Sequence, residues 1–211
     1  LKQYYSRYGG FWRFPEMLDY CYLVNPYFNR SMIIKEMQDF FPTLVSEYPS
    51  GMGVNSALAS NCWQIKQEYI IPGNGAAELI KALMENIEGK VGVTRPTFEE
   101  YPNRLPDSQV VTFIPDNQDF RYGADELIDF FANKDISHLL LINPDNPSGN
   151  FISKEGLIKL AEWTKQNGIR FILDESFVDF SVGYEDNTFL NDELLEHYCN
   201  MVVIKSISKS Y

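Results

Sequence analysis

Short apolar runs that alternate with helix-length stretches constrain this chain more than any other feature. From Gln67 onward the runs fall at 69–71, 90–94, 109–114, 138–142, 169–173 and 201–205, and helical patterns near 76–87, 97–105, 124–132, 153–167 and 189–198 separate them. Strands joined through helices pair in parallel, because a parallel neighbour needs a crossover of a dozen or more residues. Uninterrupted runs such as His138 to Ile142 suit strands covered on both faces. The expected class is therefore α/β, a three-layer αβα sandwich with a mostly parallel sheet. The helix at 153 begins with a partial capping box, Ser153 with Gly156 in place of the acid, and Gly168 ends it. Residues 1–60 are aromatic-rich and irregular, helical only at Ser31 to Phe41, and read as an N-terminal arm and dimer-contact segment; residues 61–211 hold the sheet.

Composition narrows the partners. A chain of 211 residues with 45% hydrophobic content can bury one large core. A net charge of -11 argues against nucleic acid and anionic membranes. No apolar run approaches the ~20 residues of a membrane span, and no signal peptide is visible. Cys21, Cys62 and Cys199 are odd in number and widely spaced, which fits reduced thiols in a cytoplasmic protein. His138 and His197 lack partners at metal-ligand spacing, so no metal is expected.

Ligand sites of parallel sheets lie beyond the carboxyl ends of the strands. Three runs end there in polar segments: Asn143-Pro144-Asp145-Asn146-Pro147-Ser148-Gly149, Asp174-Glu175-Ser176-Phe177, and Lys205-Ser206-Ile207-Ser208-Lys209. They deliver Asn146, Asp174 and Lys209 to one edge. Taken singly, Asp174 also suits a helix N-cap, Asn146 a turn between prolines, and Lys209 a solvated lysine among serines. Together they suit pyridoxal phosphate, which needs a lysine on its aldehyde, an anion on its ring nitrogen, a donor on its phenolic oxygen and a phosphate cradle. Gly73-Asn74-Gly75 before a helical stretch offers free amides to an anion, or serves only as a tight turn.

On these motifs the chain resembles the fold-type I pyridoxal-phosphate enzymes, specifically the class I/II aminotransferases, and within them the branch of histidinol-phosphate aminotransferase and L-threonine-O-3-phosphate decarboxylase. Asn25-Pro26, Tyr48-Pro49, Gly73 to Glu78 and Pro96-Thr97-Phe98 extend the resemblance over nearly the whole chain. It implies that Lys209 is the Schiff-base lysine and general acid-base, that Asp174 pairs with the ring nitrogen, and that Asn146 donates to the phenolic oxygen. The amides near Gly75, Ala76 and Ala77, with the Ser206 and Ser208 hydroxyls, would hold the phosphate. Phe98 would stack on the ring, although a core aromatic is the plain alternative. Tyr48 would reach the neighbouring subunit's phosphate in a homodimer, although a tyrosine packed on proline in a surface turn reads equally well.

Residues 61–211 are then the cofactor-binding large domain, incomplete at its C-terminus. The implied activity is transamination of an amino acid or amino-acid phosphate; decarboxylation of a phosphothreonine-like substrate is the alternative, and a non-catalytic remnant of the fold a third reading. Phe177 replaces the usual tyrosine, a departure shared with the decarboxylase branch. Tyr8-Gly9-Gly10 and Leu23 replace the His-Gly-Gly and the asparagine with which that branch contacts its substrate phosphate. The family's arginine eight residues past the lysine, its closing antiparallel strand and its C-terminal domain fall outside the 211 residues. The chain alone is therefore expected to bind substrate poorly.

Overall fold

A computed structural model describes residues 27–210 together with Glu16, Leu18 and Asn25. Tyr8, Gly9, Gly10, Cys21, Leu23, Pro26 and Tyr211 lie outside the described residues.

Five strands, β1 (Val91–Thr94), β2 (Val110–Phe113), β3 (His138–Ile142), β4 (Arg170–Asp174) and β5 (Met201–Ile204), form one sheet in the order β2-β1-β3-β4-β5. Every pairing is parallel. Successive side chains of a strand point to opposite faces, and the apolar runs accordingly feed two cores. Leu139, Leu141, Phe171, Leu173 and Met201 pack on one side with Leu127 and Phe131 of α4 (Ala124–Phe131) and Leu157 and Leu160 of α5 (Lys154–Gln166). Leu140, Ile142, Ile172, Val91 and Val93 pack on the other with Ile80 and Met84 of α3 (Ala76–Met84) and with Tyr101. Helices on both faces make the three layers.

Two glycines mark close approaches. A Cβ on Gly92 would lie 2.7 Å from Phe131 Cε1, so glycine on β1 is what lets that ring cover the strand. A Cβ on Gly156 would lie 2.6 Å from Ile152 Cγ2, which explains why the partial capping box has no acid. Ser153 still caps α5, its Oγ accepting from Gly156 N at 3.4 Å, and Gly168 follows the helix at φ +66°.

Three expected elements differ. Residues 69–71 form no strand: a single 3-10 turn covers Gln67–Tyr69, and Ile70 is extended without a ladder partner among the described residues. The stretch 97–105 is no α-helix but turns and a 3-10 segment, Pro102–Arg104. Pro102 has no N–H to continue a helix. The last helix is shorter than 189–198, running from Asp192 to His197.

The arm is more ordered than its composition implied. Two helices occupy it, Ser31–Ser46 (α1) and Met52–Trp63 (α2). Pro42 removes one donor from α1 without stopping it; Ser46 Oγ closes the last turn on Pro42 O at 2.9 Å and Glu47 N on Thr43 O at 3.0 Å.

Candidate active site

The parallel register aligns the strand ends that carry the polar segments. Ile142 stands opposite Asp174, and Asp174 opposite Ile204. The loops beyond remain stitched: Asn143 N donates to Asp174 O at 2.9 Å, Glu175 N to Ile204 O at 2.8 Å, and Ser206 N to Ser176 Oγ at 3.0 Å. Asn146, Asp174 and Lys209 are thus brought to one edge of three adjacent strands.

Asp174 is buried at this edge. Its Oδ1 accepts from Ser176 N at 2.8 Å and its Oδ2 from the Tyr101 hydroxyl at 2.6 Å. Both donors are neutral. Burial pushes the carboxyl above its ordinary value, against the pull of these hydrogen bonds and the field of Lys205. A buried carboxylate held only by neutral donors is one that a cation at the strand ends would relieve. Tyr101 itself is fully buried, and burial and the neighbouring carboxylate raise its hydroxyl far above the ordinary phenol value.

Phe98 reaches the same place through Tyr101, the two rings meeting edge to face with centroids 6.4 Å apart. Its own ring stays exposed, so a flat face is on offer. The missing α-helix at 97–105 has a consequence here, because a 3-10 turn after Phe98 turns Tyr101 inward to the carboxylate.

Asn146 is half-buried in a turn fixed by its neighbours. Asn143 Nδ2 donates to Ile152 O at 3.0 Å, Ile152 N returns a bond to Asn143 Oδ1 at 2.8 Å, and Gly149 N donates to Asp145 O at 3.0 Å. Asp145 accepts from Ser148 on one oxygen, while its buried Oδ1 has no partner among the described residues. An open groove of about 480 Å³ lies beside this turn, lined by Asp145, Phe151, Phe177 and Phe180 and not by Asn146, Asp174, Phe98 or Lys209.

Gly75 adopts φ +87°, a conformation that favours glycine, and a Cβ there would meet nothing within 4 Å. It starts α3, whose first amides have no partner within the helix. Ala76 packs against the cluster holding Tyr101 and Ile142, and Ala77 is exposed. Glu78 turns back to accept from Asn74 N at 2.5 Å. On the lysine side, Ser206 and Ser208 hydroxyls lie 3.1 Å apart, and Lys209 is half-buried at the end of a 3-10 turn. Asn25 of the arm reaches this turn, its N donating to Lys209 O at 2.9 Å and its Nδ2 to Ser210 O at 3.1 Å. Tyr48 is fully exposed and takes no part in the edge.

Sequence reasoning missed Tyr101, Asp179, Lys205 and Glu175. Glu175 is buried, accepting from Thr188 Oγ1 and Phe189 N, each at 2.7 Å, and burial pushes it up. It sits inside a quoted motif, but its partners lie in a later loop and leave no local pattern.

The ends of β3, β4 and β5 bring Asn146, Asp174 and Lys209 to one edge of a doubly covered parallel sheet, with Phe98 linked to Asp174 through Tyr101. The chain belongs to the family described as aminotransferase class I and II, which matches residues 52–211. It is 31% identical over 206 residues to an L-serine phosphate decarboxylase of Sulfurospirillum multivorans, covering 92% of this chain and 52% of that protein. It is 28% identical over 192 residues to a histidinol-phosphate aminotransferase of Leuconostoc citreum, covering 89% and 53%. The solved structure of a decarboxylase from Sulfurospirillum multivorans superposes with a TM-score of 0.76 at 28% identity, covering 99% of this chain and 58% of that one. The chain spans about half the length of the curated relatives it matches.

Pyridoxal phosphate is the cofactor of this family, and the residues present fit it. The buried carboxylate lacks a charged hydrogen-bond partner, and the space in front of Gly75 is open. Among the described residues no group of three His, Cys, Asp or Glu could hold a metal ion, and no helix is long and apolar enough to cross a membrane.

Proposed function

We propose that the whole protein is a pyridoxal-phosphate-dependent enzyme that decarboxylates a small phosphorylated amino acid. The observation that carries the cofactor chemistry is the convergence of Asp174, Asn146 and Lys209 at three adjacent strand ends. Phe177, a departure shared with the decarboxylase branch, and the 31% identity to an L-serine phosphate decarboxylase support the reaction type. Transamination of an amino acid or amino-acid phosphate is the second reading, favoured by the likeness to histidinol-phosphate aminotransferase.

In this reading Asp174 keeps the ring nitrogen protonated, and Asn146 donates from Nδ2 to the phenolic oxygen. Gly75, Ala76 and Ala77 amides and the Ser206 and Ser208 hydroxyls hold the phosphate, and Phe98 covers one face of the ring. Bound there, the cofactor supplies a sink for the electron pair left on the α-carbon when one of its bonds breaks. Lys209 would be the amine that holds the cofactor's aldehyde and, with a substrate amine in its place, would serve as the acid-base at the α-carbon. In decarboxylation the carboxylate leaves as carbon dioxide and Lys209 returns a proton to the α-carbon. In transamination Lys209 removes the α-proton instead.

The full-length protein with pyridoxal phosphate and O-phospho-L-serine is expected to release carbon dioxide and the matching phosphorylated amine in equal amounts. A keto acid without carbon dioxide would favour the transaminase reading. Neither product from phosphoserine, phosphothreonine or histidinol phosphate would overturn both.

We also propose that a second copy covers the arm. Helix α1 buries none of its residues and exposes Met32, Met37, Phe40, Phe41, Leu44 and Val45, more apolar surface than a solitary helix leaves to water. Tyr48, fully exposed just beyond, would then be the residue to reach the neighbouring site. Light scattering is expected to give the mass of a dimer for the full-length protein and of a monomer for Phe41→Asp; a monomeric wild type at micromolar concentration would refute the dimer. Cys62 and Cys199, both free and exposed, agree with a cytoplasmic setting.

A further inference from the structure

A second lysine, Lys205, precedes the Lys209 turn, and the two are held differently. Lys205 Nζ donates to both oxygens of Asp179, at 2.8 and 2.9 Å, with only 6% of the lysine side chain and 14% of the aspartate side chain exposed. Ser210 Oγ donates to the same carboxylate at 2.6 Å. Asp179 lies in the 3-10 turn Val178–Phe180 that follows Asp174. One carboxylate therefore grips both flanks of the Lys209 turn from the loop that carries Asp174. Among the described residues the Lys209 amine has no hydrogen-bond partner.

An amine joins an aldehyde through its lone pair: the C–N bond forms and the carbonyl oxygen leaves as water. An ammonium held by a carboxylate has no lone pair to offer, and one buried with its partner loses that partner only at considerable cost. Lys205 is also near enough for its charge to be felt at Asp174 and Glu175, where it opposes the effect of burial. Without a restraint, two amines four residues apart would compete for one aldehyde.

Resting on the reading of Lys209 as the cofactor-bearing amine, we propose that Asp179 selects between the two lysines, holding Lys205 as a paired ammonium and leaving Lys209 as the reactive amine. Asp179 is thus a positioning residue that acts through Lys205 and Ser210. A merely structural Asp179 would change stability without changing which lysine reacts.

The test is borohydride trapping of the full-length protein with pyridoxal phosphate, with peptide mass mapping that scores Lys205 and Lys209 separately. Wild type is expected to carry the adduct on Lys209. In Asp179→Asn, adduct on Lys205 is expected to rise at least about tenfold, the factor that corresponds to losing a charge-assisted hydrogen bond. A folded Asp179→Asn that leaves Lys205 unlabelled overturns the proposal. The double variant Asp179→Leu/Lys205→Met replaces a buried ion pair by apolar groups, a change proteins often tolerate, and decides the matter if Asp179→Asn does not fold. It is expected to trap Lys209 at the wild-type level; loss of that adduct in a folded double variant shows that the carboxylate only builds the turn, which also overturns selection. No adduct on Lys209 in wild type counts against the proposed function instead.

Discussion

A full-length Lys209→Ala protein is expected to give no borohydride-trapped adduct at the site and to lose turnover by about ten-thousandfold, the upper end of what a positioned acid-base supplies. Two duties fall together in this variant, since in the proposed function the same amine would hold the aldehyde carbon and move the proton. The fold should survive, because Lys209 is half-buried in a turn whose anchors are other groups. Asn25 bonds the backbone oxygens of Lys209 and Ser210, and Asp179 grips Lys205 and Ser210. Peptide mapping and steady-state rates check both parts. An undiminished rate, or an adduct that persists on another lysine with turnover intact, would remove Lys209 from the mechanism.

Asp174→Asn is expected to lower turnover by about a hundred- to a thousandfold, the scale of losing one preorganised electrostatic partner. The substitution is isosteric and an amide oxygen can still accept from Ser176 N, so what disappears is the negative charge. The variant also has a signature without cofactor. Burial holds the Asp174 carboxyl above its ordinary value of 3.8, so over the interval up to the raised value the folded chain keeps a proton that the unfolded chain has released. The stability this group contributes is fully present below that ordinary value and is lost as pH rises through the folded one. Asparagine has no such dependence. The cofactor-free variant should therefore gain on wild type as the pH rises from about 4 toward neutrality, read from urea midpoints at each pH. A relative loss over that range would contradict the burial argument.

Much of the sheet was legible because its runs are continuous and apolar. His138 to Ile142 reads as a strand covered on both faces, and it is one. Local features were legible too: Gly75 has the backbone conformation that favours glycine, Asp174 closes β4, and Lys209 lies in the turn after β5. What failed depended on distant partners. Residues 69–71 have strand composition, but a strand exists only beside another, and none of the described strands lies next to them. Around Tyr101 the periodicity suggests a helix, yet Pro102 supplies no N–H to it and the Tyr101 hydroxyl finds Asp174 far along the chain. Lys205 looks like one more residue of a serine-rich turn until the fold brings Asp179 beneath it.

The sheet order also dictates a timetable. Each parallel pairing must wait for an intervening crossover, and β5 is the last of the five described strands to leave a ribosome that adds about 5–20 residues per second. Asp174 is made well before the strand that flanks it, and its carboxyl has Tyr101 as an earlier partner, from the loop after β1. Until β5 docks, the nascent chain has neither Lys209 nor the Ser206 and Ser208 hydroxyls near that carboxylate. On the proposed role of Lys209, aldehyde capture at this edge waits for β5 to dock on β4, and a nascent chain that stops short of it offers the cofactor no seat.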